Sequence, residues 1–160
     1  MSTDTIEFAF LIDRQEWVPL VIDWWATKWR DRMSSDLERD AEFLRNSLKK
    51  DDFPIHIVAT RDGEPVGSAA LKFRELPDLF PQHQFWLGSV FTAPAQRGQG
   101  IASALCNRII EIARERGHPH LFLQTENLGG GLYRKLGWQP VTEFSYRDQQ
   151  TLLMKKMLDS

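Results

Sequence analysis

The chain has one cysteine among its 160 residues, Cys106, so an internal disulfide is excluded and a reducing, cytoplasmic setting is expected. Neither charge is in real excess. Lysine and arginine number 20 against 22 aspartates and glutamates, and the formal charge of -2 leaves no overall basic field to draw the chain to nucleic acid or anionic lipid. No apolar run reaches membrane-spanning length, and no basic segment followed by an apolar stretch marks a leader, so no membrane partner is expected. Repeats, low-complexity tracts and Ser/Gly linkers are missing as well, and nothing divides the sequence into separate domains. What is present, 42% hydrophobic and 26% charged residues at this length, suits one globular domain over residues 1–160 with a real core. Small-molecule chemistry without a metal site is the expectation.

Periodicity orders the elements. "IEFAFLI" (6–12) reads as an opening strand, and "RQEWVPLVIDWWATKW" (14–29) as an aromatic amphipathic helix with Asp13 as its cap and Pro19 near its first turn. A second helix follows Ser34 or Ser35, with Leu37, Ala41, Leu44 and Leu48 as its apolar stripe. Asp62-Gly63 between two alternating runs predicts a hairpin, because that pair supplies the positive φ of a tight turn. Residues 74–84 carry two prolines and read as a loop, and "FWLGSVFTA" as a buried strand. A helix from Ile101 buries Ile101, Leu105, Ile109, Ile112 and Ala113 and ends at Gly117. The strand "HLFLQT", the short helix "GGGLYRKLG" and a terminal strand pair complete the order β, α, α, β, β, β, α, β, α, β, β.

The stretch "VFTAPAQRGQGIASALCNRII" (90–110) runs a strand through glycines into a helix, a costly junction unless its N–H groups bind an anion. A P-loop needs Lys-Ser/Thr after its last glycine, whereas Ile101-Ala102 follows Gly100. A dinucleotide site needs G-x-G-x-x-G early in the chain, and "GQGIAS" stops after two glycines and comes late. A pyrophosphate on the N–H groups from Arg97 to Ala102, with the Arg97 guanidinium beside it, remains.

"RGQGIA" (97–102), preceded by "SVFTAP", resembles the Q/R-x-x-G-x-G/A motif of the GCN5-related N-acetyltransferase (GNAT) superfamily, and "LYRKLGW" (132–138) resembles its Leu-Tyr-x-x-x-Gly-Phe/Trp signature. The element order agrees over nearly the whole chain. The resemblance implies an α/β (α+β) fold, a mixed, mostly antiparallel sheet flanked by helices, with the strands at 85–93 and 121–125 splayed at the cofactor site. It implies acetyl-CoA as cosubstrate, its pyrophosphate on Arg97, Gly98, Gln99, Gly100, Ile101 and Ala102, and its pantetheine amides on the backbone of Val90, Phe91 and Thr92. Asn127 stands six residues before the motif tyrosine, the place of the family's asparagine, although three glycines follow where helix formers are common. Family members are often dimers, so a homodimer is among the expectations.

For chemistry, the resemblance puts Tyr133 near the thioester sulfur as general acid, a task for a phenol of ordinary pKa about 10. The attacking amine needs a base, for which Glu75, His83 and Glu126 are candidates. His56, His118 and His120 read as structural. Cys106, mid-helix with no histidine nearby in sequence, reads as core and not as an acyl carrier, so direct attack in a ternary complex is expected. Trp24 and Trp25, in an aromatic stripe that also serves the core, are candidates for an acceptor site that takes an apolar or cationic amine. A small amine is the expected acceptor. A protein or peptide amine, or a non-catalytic acyl-CoA-binding domain of the same fold, are the alternatives.

Overall fold

The computed structural model describes residues 5–158; residues 1–4 and 159–160, the ends of the expected 1–160 domain, lie outside the described residues. In chain order the elements are β1 (Ile6–Phe10), α1 (Val18–Lys28), α2 (Leu37–Ser47), β2 (Ile55–Arg61), β3 (Glu64–Phe73), β4 (Phe85–Thr92), α3 (Ile101–Glu115), β5 (His120–Thr125), α4 (Gly131–Lys135), β6 (Gln139–Tyr146) and β7 (Gln149–Met157). This is the expected order, with short 3₁₀ turns added. The strands form one sheet in the order β1-β2-β3-β4-β5-β7-β6. It is mixed and mostly antiparallel: β1 with β2, β5 with β7 and β6 with β7 run antiparallel, whereas β4 and β5 are parallel and in register at Trp86 and Phe122.

The chain gathers into two compact units, one of residues through Ala70 with Ser89–Cys106, the other of Leu71–Gly88 with the residues from Asn107 on. In the first, α1 buries Val18, Val21, Ile22 and Trp24, α2 buries Ala41 and Leu44, and these join Leu11, Leu48, Val58 and Phe91 in one core. Residues 55–60 of β2 are buried throughout, which is why this strand reads as a continuous apolar run interrupted only by His56 and Thr60. Asp62 and Gly63 take φ of 52° and 81°, the two left-handed residues of the predicted hairpin turn.

Three boundaries differ from the sequence reading. β1 stops at Phe10, because Leu11 turns inward, fully buried, at the start of a 3₁₀ turn over Leu11–Asp13. α1 starts at Val18, after a 3₁₀ turn at Gln15–Trp17, with Pro19 in its first turn as expected. Asp13 does not cap it; its carboxylate accepts from Lys50 Nζ at 2.7 Å instead. The cap of α2 is Asp36, not Ser34 or Ser35: the Asp36 carboxylate accepts from the N–H groups of Glu38 at 3.1 Å and Arg39 at 3.3 Å.

The second unit has its own aromatic core of Leu76, Trp86, Phe122 and Leu153, with Phe80, Phe144 and Tyr146 packed on it. The Trp86 indole donates to the His83 carbonyl at 2.8 Å, which folds the proline-containing loop back onto β4. α3 buries all five residues of its predicted face, and Gly117, with φ 79°, ends it as expected.

Gly67 in β3 sets how closely the first unit packs. A Cβ there would stand 2.7 Å from the Phe91 carbonyl oxygen and 3.0 Å from Leu105 Cδ1. Gly67→Ala is therefore expected to destabilise the chain by about 1–3 kcal/mol through overpacking. The check is the urea unfolding midpoint, and an unchanged midpoint would mean that β4 and α3 yield freely.

Candidate active site

The glycine turn is built from the end of β4. Pro94–Gln96 form a 3₁₀ turn, Arg97 is extended, and α3 begins at Ile101. Gly98 and Gly100 have φ of +80° and +81°, where L side chains are strained, yet a Cβ at either would meet no atom within 4 Å. Backbone conformation, and not crowding within the chain, is what requires glycine here. The Ala104 N–H donates to the Gly100 carbonyl at 3.0 Å. The N–H groups of Ile101, Ala102 and Ser103 belong to the first turn, where a helix has no carbonyl of its own to offer them. Ile101 is buried and anchors this end, while Ala102 is half-buried.

Positive charge borders the turn. Arg97 Nε donates to the Thr92 carbonyl at 3.4 Å, and its guanidinium lies 5.9 Å from the Phe91 ring centre. Arg61 Nη1 donates to Gln96 Oε1 at 3.0 Å and also to Gln99 Oε1. The Val90 carbonyl accepts from Lys28 Nζ at 3.4 Å. Free first-turn N–H groups, a left-handed glycine pair and two guanidiniums together suit a phosphorylated ligand.

Trp24 and Trp25 part company. Trp24 is buried at 8% exposure and stacks on Phe91 with ring centres 5.6 Å apart, as core. Trp25 stays half-buried; its indole N–H donates to Ser68 Oγ at 3.4 Å, and its ring is tilted against His56 at 5.5 Å.

In the second unit, Tyr133 lies in α4 and meets the buried Trp138 edge-on, ring centres 6.3 Å apart. The Tyr133 carbonyl accepts from the Trp138 N–H at 3.0 Å, so "LYRKLGW" is a local unit that fixes the phenol on a buried indole. The three glycines before it have a structural reason. Asn127 Oδ1 accepts from the Gly129 N–H at 3.1 Å, and a Cβ on Gly131 would fall 2.6 Å from Asn127 Nδ2. Gly130, φ 87°, is the N-cap of α4, so Glu126 does not cap this helix and stands exposed on the turn after β5.

Of the two carboxylates among the three base candidates, Glu75 is the better held. Its side chain is 14% exposed, with Oε1 at 3.3 Å from Lys72 Nζ and Oε2 accepting from Gln124 Nε2 at 3.1 Å. A Cβ on Gly88 would collide with Glu75 Oε1, so glycine at 88 lets the carboxylate lie against the backbone of β4. His83, half-buried in the loop before β4, has its ring near-parallel to Phe122 at 3.8 Å and to Phe80 at 5.5 Å. Burial, with the charges of Lys155 and His120 adding, lowers its pKa below the ordinary histidine value. Cys106 is fully buried and its thiol is pushed up to about 12, which removes the thiolate at neutral pH.

Sequence reasoning missed Lys72, Gly88 and Gln124 around Glu75, and Arg61 and Gln96 at the turn. Lys72 stands three residues before Glu75, but Gly88, Gln124 and Arg61 meet their partners only through strand pairing and loop closure, which no local spacing marks. A basic residue closing an otherwise buried strand was the one available signal among these, at Arg61.

Residues 17–138 match the model of the Acetyltransferase (GNAT) family. The chain belongs to that family. N-acetyltransferase 8 of Rattus norvegicus is 32% identical over 130 residues, 79% of this chain and 57% of the relative. The chain spans about half the length of the curated relatives it matches. Among solved structures, ribosomal-protein-alanine N-acetyltransferase from Brucella melitensis superposes with a TM-score of 0.74 at 24% identity, covering 96% of this chain and 99% of that one. An aminoglycoside 6'-N-acetyltransferase complexed with coenzyme A gives 0.73 at 16% identity, covering 98% of each. These two show that this member of the GNAT family shares their fold.

The His83 stack makes a pH prediction. Its folded value lies below the ordinary 6.5, so as pH falls from there the unfolded chain takes up a proton that the folded chain refuses. Stability present above pH 6.5 is lost as pH falls through the folded value. His83→Phe, which keeps a ring in the stack, is expected to flatten the fall in urea midpoint between pH 7.5 and 5, and an equally steep fall would remove His83 as its source.

Proposed function

We propose that the chain transfers the acetyl group of acetyl-CoA to the primary amine of a small molecule by direct attack in a ternary complex, the 1–160 sequence working as one GNAT domain in a reducing, cytoplasmic setting. The observation that carries this reading is the continuous path from β4 through the left-handed Gly98 and Gly100 to the first turn of α3, in a member of this family. An acyl-CoA joins an extended amide-bearing arm to a pyrophosphate. A strand followed by an anion-binding turn matches those two parts in sequence. The backbone of Val90, Phe91 and Thr92 is assigned to the arm, and residues 97–102 to the pyrophosphate. Asn127, already committed to the Gly129 turn, is assigned to shaping α4.

Glu75 is the assigned general base. It is held by Lys72 and Gln124, where His83 is stacked with Phe122 and Phe80 and Glu126 stands exposed. The base takes the proton of the acceptor ammonium, the amine nitrogen bonds to the thioester carbonyl carbon, and the carbon–sulfur bond breaks. Tyr133 supplies the proton to the departing thiolate, and the second proton, which the new amide nitrogen sheds, returns the phenolate to phenol. Trp25, half-buried with its N–H held by Ser68, is the assigned aromatic wall for the acceptor, whereas Trp24 supports it from the core. The fold neighbour that is an aminoglycoside 6'-N-acetyltransferase supports a small-molecule acceptor.

Titration calorimetry with acetyl-CoA, CoA and ATP is the first check: both CoA species are expected to bind and ATP is not. An amine and peptide acceptor screen follows, and turnover on peptides alone would overturn the small-amine assignment. Glu75→Gln is expected to lower kcat by about 10²–10⁴-fold with acetyl-CoA affinity kept. Tyr133→Phe is expected to lose turnover and keep that affinity; unchanged turnover would remove the phenol from the chemistry.

A further inference from the structure

Arg61 closes a strand whose preceding six residues are all buried, and it stands immediately before the Asp62-Gly63 turn. One nitrogen of its guanidinium, Nη1, donates to the side-chain oxygens of both Gln96 and Gln99. Those glutamines lie on different parts of the glycine turn: Gln96 ends the 3₁₀ segment, and Gln99 separates the two left-handed glycines. A single cation from β2 thus ties together both arms of the loop. The Arg61 Nε is buried and has no hydrogen-bond partner, a destabilising feature that folding alone does not explain.

We infer that Arg61 is the positioning residue of the diphosphate turn, clipping Gln96 and Gln99 so that the Gly98–Gly100 backbone is set before a phosphorylated ligand arrives. The inference deepens the cofactor reading proposed above and rests on it. Glycine pairs have wide φ freedom, and a ligand that must order them binds more weakly than one that meets an ordered turn. The clip also keeps a positive charge beside the turn. Arg61 acts through the glutamines, so its removal is felt by ligands that carry phosphate and not by the arm alone.

The experiment is calorimetry on the full chain with two probes, CoA and pantetheine, the second lacking every phosphate. Arg61→Met is expected to weaken CoA binding about tenfold, the size of a lost charged hydrogen bond, and to leave pantetheine binding unchanged. The Gln96→Leu/Gln99→Leu pair is expected to show the same loss, and the combination of all three no further loss, because each breaks the same clip. Arg61→Lys, which keeps the charge but not the fixed guanidinium geometry that points Nη1 at both glutamines, is expected to fall between and serves if the methionine variant does not fold. Equal CoA affinity in Arg61→Met and the unaltered chain overturns the inference. So does full affinity in the glutamine pair, which would make Arg61 a charge and not a clip, and so does an equal loss for pantetheine, which would make it a general prop of the fold. If the unaltered chain binds no CoA at all, the cofactor reading falls first and this inference with it.

Discussion

The carbonyl oxygen of Phe91 occupies the place that a side chain on residue 67 would need, and Ile101 and Leu105 of α3 close on the same point. That contact ties the strand leading into the glycine turn to the helix leading out of it. With both ends held, residues 93–100 have to reverse direction over a short path, and the two left-handed residues follow from that demand. The ring of the same Phe91 stacks on Trp24 and meets Trp29 edge-on, so its backbone and its side chain are each engaged by a different element. Loosening any one of these contacts would loosen the turn.

Much of the fold was legible because the signals are local. Asp62-Gly63 required positive φ, Pro19 suited a first helical turn, and the spacing of Ile101, Leu105, Ile109 and Ile112 described a face that is buried in full. The misreadings came where a side chain had two uses. Asp13 looked like a cap and is spent on Lys50, a partner far along the chain; Ser34 and Ser35 precede the helix, yet Asp36 has the reach to accept from two N–H groups at once. Leu11 continued an alternating pattern that would have kept a strand going, but its burial in the core turned the chain instead.

The site was legible in its backbone and less so in its side chains. "RGQGIA" and "LYRKLGW" each act as a self-contained unit, the second because the Trp138 N–H returns to the Tyr133 carbonyl. The role of Gly131 was not legible, since what it makes room for is the side chain of Asn127, nor was that of Gly130, which packs against Arg134 and Met154. Glu75 could not be told from His83 and Glu126 by position in the sequence. What separates them is company: a lysine and a glutamine around Glu75, two aromatic rings around His83, and solvent around Glu126.

Hairpin tips on protein surfaces ordinarily tolerate insertions, since their loops carry few obligations. The Asp62-Gly63 tip follows Arg61 directly, and strand side chains alternate faces with a period of two. One residue inserted within β2 before Arg61 would send the guanidinium to the opposite face and leave Gln96 and Gln99 without it. Where the guanidinium meets those glutamines is therefore set by the register of β2, and a shift within the strand would alter the glycine turn more than a longer or shorter tip would.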